Sequence, residues 1–233
     1  MKKGTIHNKE GFLNSISDKL GRDRKTGVSL PVWEHQPQWK IYSEATSDEL
    51  AVIFQENSEE KDTLVVKTDQ SMLSETLEKV MNDCGGGPIV TTKDPRFSEY
   101  GLTSVLDTDE THVWDVALGE KNIQKAKEAN IGVIFSDISL AESGTVVQFN
   151  DKNIARSVCL LPITYVAIVP KSTIVPRMTQ ATHHIHKQVE AGKDLATNIN
   201  FMSGPSNSAD IEMDIVVGVH GPVKAVYIVL EDQ

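Results

Sequence analysis

The sequence has no long hydrophobic run and no excess of positive charge. No apolar segment of the 233-residue chain approaches the roughly 18 residues that a membrane-crossing helix needs. The first residues, MKKGTIHNKEGF, lack the apolar stretch of a secretory signal. The formal net charge is −10, and Lys and Arg are not clustered, so nucleic-acid phosphates and acidic lipid headgroups are repelled. We therefore expect a cytoplasmic protein with no nucleic-acid partner and no membrane association.

Cysteine is also scarce, and this excludes an iron–sulfur cluster held by this chain alone. The two cysteines, Cys84 and Cys159, lie far apart and outside any CxxC pair. Cys84 continues a helical apolar stripe, and Cys159 lies within the strand-like segment Ser157–Leu161. Both are predicted to be packing residues in a reducing compartment. Neither a GxGxxG fingerprint nor a Walker loop occurs, so we predict no bound cofactor.

The hydrophobic pattern divides the chain into two parts. A short amphipathic helix carrying Phe12, Leu13, Ile16 and Leu20 is followed by a polar segment with scattered Pro and Trp. We predict that residues 1–46 form this N-terminal helix and an extended arm. Residues 47–233 are predicted to form a single α/β domain.

Within the second part, apolar strand patterns alternate with helical ones. Strands are predicted at Thr63–Lys67, Pro88–Thr92, His112–Leu118, Ile131–Ser136, Thr145–Phe149, Ser157–Leu161, Tyr165–Val169, Asp214–Val219 and Ala225–Leu230. Helices are predicted at Asp48–Asn57, Gln70–Asp83, Lys121–Ala129 and Pro176–Ala191. The early alternation favours parallel strands, whereas the closely spaced later strands favour antiparallel ones. The predicted fold class is therefore α/β, with a mixed, partly parallel sheet flanked by helices.

The helix at Pro176–Ala191 carries three histidines, His183, His184 and His186. His183 and His186 fall about 60° apart on the helical wheel, away from the buried stripe, and are candidates to share a metal. The usual zinc helix spaces its ligands at i, i+4 and needs a third ligand. We expect exposed histidines and no metal site.

Two acidic residues follow the strand Ile131–Ser136, in the segment Asp137-Ile-Ser-Leu-Ala-Glu142-Ser-Gly-Thr145. Ligands bind outside the carboxyl ends of strands in open α/β sheets. Glu142 is therefore a candidate general base or nucleophile, Gly144 would let the backbone approach a ligand, and Thr145 offers a hydroxyl. The alternative is a tight turn with a solvated glutamate.

A second candidate segment runs from Gly204 to Pro222. Ser206, Ser208, Asp210 and Glu212 lie in a polar loop, and His220 follows a predicted strand. These four loop residues are predicted to bind the substrate, the serines lining a pocket for a small carboxylate or phosphate, with His220 as a catalytic candidate. A Ser206–His220–Asp210 triad is a weaker alternative, because Ser206 lacks a G-x-S-x-G elbow. A surface histidine in a hairpin turn is the simplest alternative.

These segments also carry a family resemblance. Ala141-Glu-Ser-Gly-Thr145, then Gly204-Pro-Ser206 with Ala209-Asp-Ile-Glu212, then Gly218-Val-His-Gly-Pro222 are similar to the motifs of the lactate-utilisation (LUD) domain family, in particular its protein C branch. The resemblance covers most of the second half of the chain and, more loosely, the first half. The family often has a basic residue and Thr after Gly-Pro-Ser, where this chain has Asn207 and Ser208. Arg156 or Lys224 would then have to supply a positive charge.

The resemblance implies both a fold and a pathway. The fold would be similar to that of ribose-5-phosphate isomerase and the CoA-transferases. The function would be that of a non-redox component of a system oxidising L-lactate to pyruvate, beside two iron–sulfur partner proteins. The alternatives are a self-sufficient isomerase or acyl/CoA-transferase using Glu142, and a scaffold that makes contact through Trp33 and Trp39. A homo-oligomer is a further open alternative.

Overall fold

The computed structural model describes residues 6–25, 27, 29 and 31–232. The first five residues, and positions 26, 28 and 30 of the predicted arm, lie outside the described residues. The chain divides into two compact units, one ending at Gln36 and one running from Pro37 onward. In the first unit, helix α1 spans Lys9–Lys19, and Arg24 forms an ion pair with Glu10.

The second unit contains the remaining helices and all strands in the described part of the chain. The helices are α2 Ser47–Glu59, α3 Leu73–Asp83, α4 Arg96–Glu99, α5 Thr103–Leu106, α6 Glu120–Glu128, α7 Ser157–Leu160 and α8 Met178–Glu190. The strands are β1 Thr63–Asp69, β2 Ile89–Thr91, β3 Thr111–Val113, β4 Ile131–Phe135, β5 Ile138–Leu140, β6 Thr145–Asn150, β7 Thr164–Pro170, β8 Ile174–Val175, β9 Asn198–Met202, β10 Asn207–Ile211, β11 Asp214–Val217 and β12 Lys224–Glu231. Short 3₁₀ turns occur at Pro37–Trp39, Val116–Leu118, Ala141–Ser143 and Lys171–Thr173.

Helix α2 begins where the sequence provides a capping box. The Thr46 hydroxyl accepts the Glu49 N–H at 3.2 Å, and the Glu49 carboxylate accepts the Thr46 N–H at 2.8 Å. Both bonds satisfy amides that a helix start leaves free. The helix then buries Leu50, Ala51 and Phe54. Its position matters for function, because its last turns contact the segment that carries Glu142.

A six-stranded sheet in the order β1-β12-β7-β4-β2-β3 forms the centre of the fold, and neighbouring strands pair in parallel throughout. Strand β7 is buried along its whole length, as expected for a parallel sheet covered on both faces. Alternate residues of β12 point to different cores. Tyr227 and Val229 join α2, α6 and α7 on one face, whereas Val226 and Ile228 join α3, α4 and α5 on the other.

A second sheet has the order β8-β5-β6-β9 and mixes parallel with antiparallel pairings. Val147 of this sheet packs against Ala181 of α8, while Val146 and Met202 join the first core of the central sheet. Strands β10 and β11 pair only with each other, as a hairpin. The predicted α/β class, with a mixed and partly parallel arrangement flanked by helices, is confirmed.

Two local predictions were wrong. Ser157–Leu161 is not a strand, because Ser157–Leu160 forms helix α7, in which Val158 and Cys159 are both buried. The strand predicted at His112–Leu118 ends at Val113, and the Asp115 carboxylate caps a 3₁₀ turn by accepting the Ala117 N–H at 2.9 Å. Strand β12 lies between β1 and β7 in the central sheet, and strand β11 does not pair with it.

Within the described residues, no helix combines the length and the apolar character that crossing a membrane requires.

Candidate functional site

The segment Ala141–Thr145 connects β5 to β6 through a 3₁₀ turn and is held by α2 and α8. The Asn57 side chain donates to the carbonyl of Ala141 at 3.1 Å, and the N–H of Glu142 donates to the carbonyl of Pro176 at 3.0 Å. The Glu142 carboxylate accepts a charged hydrogen bond from Nε of Arg177. The Glu142 side chain is still 38% exposed, so a ligand can reach its carboxylate.

The backbone at Gly144 lies close to another part of the protein, helix α2. It adopts a left-handed conformation with φ of 53°. A Cβ at this position would lie 2.6 Å from both the backbone nitrogen and the hydroxyl oxygen of Ser58 in α2. The glycine is therefore required by packing against α2 and by its backbone conformation.

A row of three hydroxyls leads from the Glu142 turn toward the Gly204–Ser206 loop. Ser143 and Thr145 share a hydrogen bond of 2.6 Å, and Thr145 and Ser203 share another of 2.6 Å. Thr145 is only 3% exposed, so its hydroxyl depends on these partners. The antiparallel pairing of β6 with β9, with Val146 opposite Met202, brings the two distant sequence segments together.

Ser203 lies in the wall of a cavity of about 280 Å³. The cavity is lined by Cys159, Leu160, Tyr165, Met202, Ser203, Gly204, Pro205, Ser206, Asn207, His220, Gly221 and Pro222. Its two loops are joined at the base, since the N–H of Ser206 donates to the Pro222 carbonyl at 2.9 Å and the Gly218 N–H donates to the Ser206 carbonyl at 2.8 Å. The structure thus brings the predicted residues Ser206 and His220 into one cavity.

Two buried tyrosines hold the loop that forms the cavity wall. The hydroxyls of Tyr165 and Tyr227 share a hydrogen bond of 2.7 Å. Tyr227 also accepts the Gly204 N–H at 3.0 Å and donates to the Met202 carbonyl at 3.2 Å. Burial raises the pKa of both phenols, so they remain neutral and act as hydrogen-bonding supports.

Cys159 contributes a buried thiol to the cavity. Burial raises the pKa of the Cys159 thiol to about 12. The thiol lies 3.4 Å from the Gln148 side-chain oxygen, to which it donates. A thiol in this environment stays protonated near neutral pH and is a poor nucleophile.

The sequence model of the LUD domain family matches residues 40–230. The chain belongs to the LUD domain family. The resemblance seen in its motifs is thereby confirmed. The matched region includes the hydroxyl row and every residue that lines the cavity.

Relatives of this LUD protein match over whole chains. A protein named lactate utilization protein C from Geobacillus sp. (strain WCH70) is 52% identical, and one of the same name from Bacillus subtilis (strain 168) is 51% identical. Both alignments cover 100% of each chain. The crystal structure of a DUF162 family protein from Deinococcus radiodurans shares the fold, with a TM-score of 0.57 and 15% identity over 80% of this chain and 99% of that one.

Three predicted binding residues of the LUD domain lie on the hairpin and not in the cavity wall. The Ser208 hydroxyl donates to the Asp210 carboxylate at 2.9 Å, and Glu212 occupies the hairpin turn. In the described part of the chain, no hydrogen bond joins Asp210 to Ser206 or His220, so the alternative triad is not assembled. The alternative of a hairpin turn around His220 is also not found, because β11 and β12 do not pair.

The candidate cations and the histidines of α8 also lie apart from the cavity lining. Neither Arg156 nor Lys224 belongs to that lining. The His183 ring packs edge-on against Trp39, with 5.2 Å between ring centroids, and His186 lies 3.3 Å from Glu190. Among the residues that the structure describes, no group of three or more His, Cys, Asp and Glu side chains is arranged to hold a metal ion.

Arg177 is the functional candidate that sequence reasoning missed. It lies immediately before α8, and only the fold brings it to Glu142, 35 residues away. No spacing rule connects these two positions. The signal in the sequence is weak: an arginine next to Pro176, at the predicted start of a helix.

A larger, open groove of about 640 Å³ lies along the start of α2, and its lining includes Lys40, Tyr42 and Val52. It contains none of the predicted site residues. The smaller cavity is the stronger candidate, because it combines converging hydroxyls with residues of two motifs.

Proposed function

We propose that this protein is a non-redox component of a cytoplasmic system that oxidises L-lactate to pyruvate, so that lactate serves as a carbon source. The observation that carries the proposal is the full-length similarity to proteins named lactate utilization protein C. With only two cysteines, of which Cys159 is buried and protonated, the chain is poorly equipped to ligate a cluster by itself. Electron transfer is therefore assigned to iron–sulfur partner proteins.

The cavity is proposed to bind lactate, pyruvate or another small carboxylate. Its volume of about 280 Å³ suits a ligand of this size better than a nucleotide. The hydroxyls of Ser203 and Ser206 and the imidazole of His220 are hydrogen-bonding groups that can contact a carboxylate or an α-hydroxyl. In this proposal Thr145 positions Ser203, and Glu142 with Arg177 forms a charged pair at the other end of the hydroxyl row.

The test is lactate-dependent reduction of an acceptor by this chain, by the iron–sulfur partners, and by the mixture. We expect activity in the mixture alone, and we expect Ser206→Ala and His220→Asn to reduce it at least about tenfold, a loss of about 1.4 kcal/mol. Ser104→Ala, an exposed serine on α5, is the matched control and should have no effect. Activity of the partners without this chain would contradict the proposal.

One observation favours a second candidate, an acyl- or CoA-transferase-like enzyme. The Glu142 carboxylate is reachable and lies beside the positive charge of Arg177. Such a carboxylate can attack the carbonyl of a thioester, form an acyl anhydride with the enzyme and release the thiol. Trapping a hydroxylamine-sensitive adduct on Glu142 would support this candidate, whereas full activity of Glu142→Gln in the lactate assay with no adduct would exclude it.

A further inference from the structure

The hairpin of β10 and β11 presents an exposed apolar face. Ile215 and Val217 alternate within strand β11, so they share one face of the hairpin, whereas Met213 lies in the turn before the strand and Val219 lies beyond its end. Met213 is 92% exposed and Ile215 is 74% exposed, and Val217 and Val219 are exposed as well. Exposed apolar side chains at the tip and along one strand of a two-stranded sheet are typical of an interaction surface.

The turn of this hairpin is built from residues that are poorly suited to a turn. Glu212 and Met213 both adopt left-handed conformations, with φ of 55° and 64°. Asn-Gly or Asp-Gly pairs adopt this two-residue turn at a lower energetic cost. The sequence therefore keeps a large apolar side chain at the tip, where it contributes little to folding.

The charge of the hairpin decides what kind of partner fits. Asp210, Glu212 and Asp214 are exposed on the same hairpin, and the segment 207–219 contains no Lys or Arg. A second copy would bring like charges together in a chain whose net charge is already −10. A partner protein with an apolar groove bordered by Lys and Arg complements both features.

The base of the hairpin coincides with the rim of the cavity. Asn207, which opens β10, and His220, which follows β11, both line the cavity. The hydrogen bonds from Ser206 to Pro222 and from Gly218 to Ser206 hold the two ends of the hairpin together there. A protein bound to the hairpin is therefore located at the mouth of the cavity.

We propose that the β10–β11 hairpin is the docking arm for a partner protein that presents an apolar groove with a basic rim. The inference rests on the proposed function in one respect, since it takes the partner to be one of the iron–sulfur proteins. Docking at the hairpin brings that partner to the rim of the cavity, where Asn207 and His220 lie. Met213 and Ile215 supply the buried contact, and the three carboxylates orient the encounter.

The experiment measures binding of the purified iron–sulfur partners to the full chain by calorimetry. We expect Met213→Ser/Ile215→Ser to raise the Kd at least about tenfold. Val116→Ser/Leu118→Ser, an exposed apolar pair on the 3₁₀ turn after β3, is the control and should leave the Kd unchanged. Raising the salt from about 50 to 500 mM should weaken binding of the wild type, and weaken Asp210→Asn/Glu212→Gln/Asp214→Asn less.

Unchanged binding by the Met213/Ile215 variant would overturn the docking proposal, as would failure of the wild type to bind either partner. A wild-type dimer in sedimentation velocity that Met213→Ser/Ile215→Ser dissociates would also overturn it, because the face would then bind a second copy. The lactate assay with the same mixture separates the two proposals. If the mixture oxidises lactate only when this chain is present, the proposed function is supported even where docking at the hairpin fails. If the partners bind through the hairpin but the mixture does not oxidise lactate, the docking proposal is supported and the proposed function is not.

Discussion

The hydroxyl of Thr145 lies 2.6 Å from the hydroxyl of Ser203, although 58 residues separate them in the sequence. This hydrogen bond joins the turn that carries Glu142 to the loop that forms the cavity wall. Because Thr145 is buried, water cannot replace the bond if it is lost. The two motifs of the LUD domain are therefore parts of one hydrogen-bonded unit.

We predict that Thr145→Val destabilises the protein and weakens small-carboxylate binding together. The valine keeps the shape of the side chain but leaves the hydroxyls of Ser143 and Ser203 without their partner. We expect a loss of about 1–3 kcal/mol in the free energy of unfolding, measured by urea denaturation. Thr145→Ser retains the hydroxyl and should recover lactate affinity in calorimetry, and equal defects in the two variants would show that the hydroxyl matters no more than the methyl group.

Tyr227→Phe tests the support beneath the cavity wall. The change removes the acceptor of the Gly204 N–H and the donor to the Met202 carbonyl, both in a buried environment. We expect a loss of about 1–3 kcal/mol in unfolding free energy, and faster amide exchange at Gly204. Tyr42→Phe, which alters an exposed phenol, is the control. Indistinguishable exchange at Gly204 in Tyr227→Phe and wild type would rule out this supporting role.

Much of the central sheet follows from the sequence, because its strands are buried on both faces. Strands β4, β7 and β12 are apolar runs that alternate with helical patterns along the chain. This combination is typical of buried strands in a parallel sheet. Ser157–Leu161 was misassigned because a five-residue apolar run has no period that separates a strand from a helix. The segment forms helix α7 in close contact with strand β4. The contact is so close that a Cβ at Gly132 of β4 would lie 1.9 Å from the Val158 carbonyl oxygen.

The candidate site depends more heavily on tertiary structure. Ser206 and His220 were predicted to share a site, and the loops joined at Pro222 and Gly218 bring them to one cavity. The link through Ser203 required the pairing of β6 with β9, and β9 was not predicted. Charge and hydroxyl content also placed Asp210 and Glu212 at the site, whereas the hairpin turns them toward solvent. Local composition is the same for an acidic residue that lines a site and for one that faces solvent, so it cannot distinguish the two.

Glu142 and Arg177 should behave as a coupled pair. Their ion pair is partly exposed, so its contribution to stability is small, and we expect a coupling of about 0.5–1 kcal/mol in a double-mutant cycle of Glu142→Gln and Arg177→Met. In the lactate assay the two single variants should lose activity to a similar degree, and the double variant should lose little more. Strictly additive losses in both measurements would mean that the two residues act independently.

The Cys159 thiol should make the stability of the protein sensitive to alkaline pH. Burial raises the pKa of this thiol from its ordinary value near 9 to about 12, so the folded state holds the proton more tightly than the unfolded state. The stability linked to this proton is fully present below pH 9 and is lost as the pH rises toward 12, by about 1.4 kcal/mol per pH unit.

Urea unfolding of wild type and Cys159→Ala between pH 8 and pH 10.5 measures this contribution. Burial is the largest cause of the raised pKa of Tyr165 and of Tyr227, and it is present in both proteins, so the difference between the two curves reports chiefly on the thiol. The alanine removes a packed sulfur and should lower stability by a constant amount at every pH. We therefore expect the gap between the proteins to narrow above pH 9. Two parallel curves would instead place a hydrated, normally titrating thiol at the floor of the cavity.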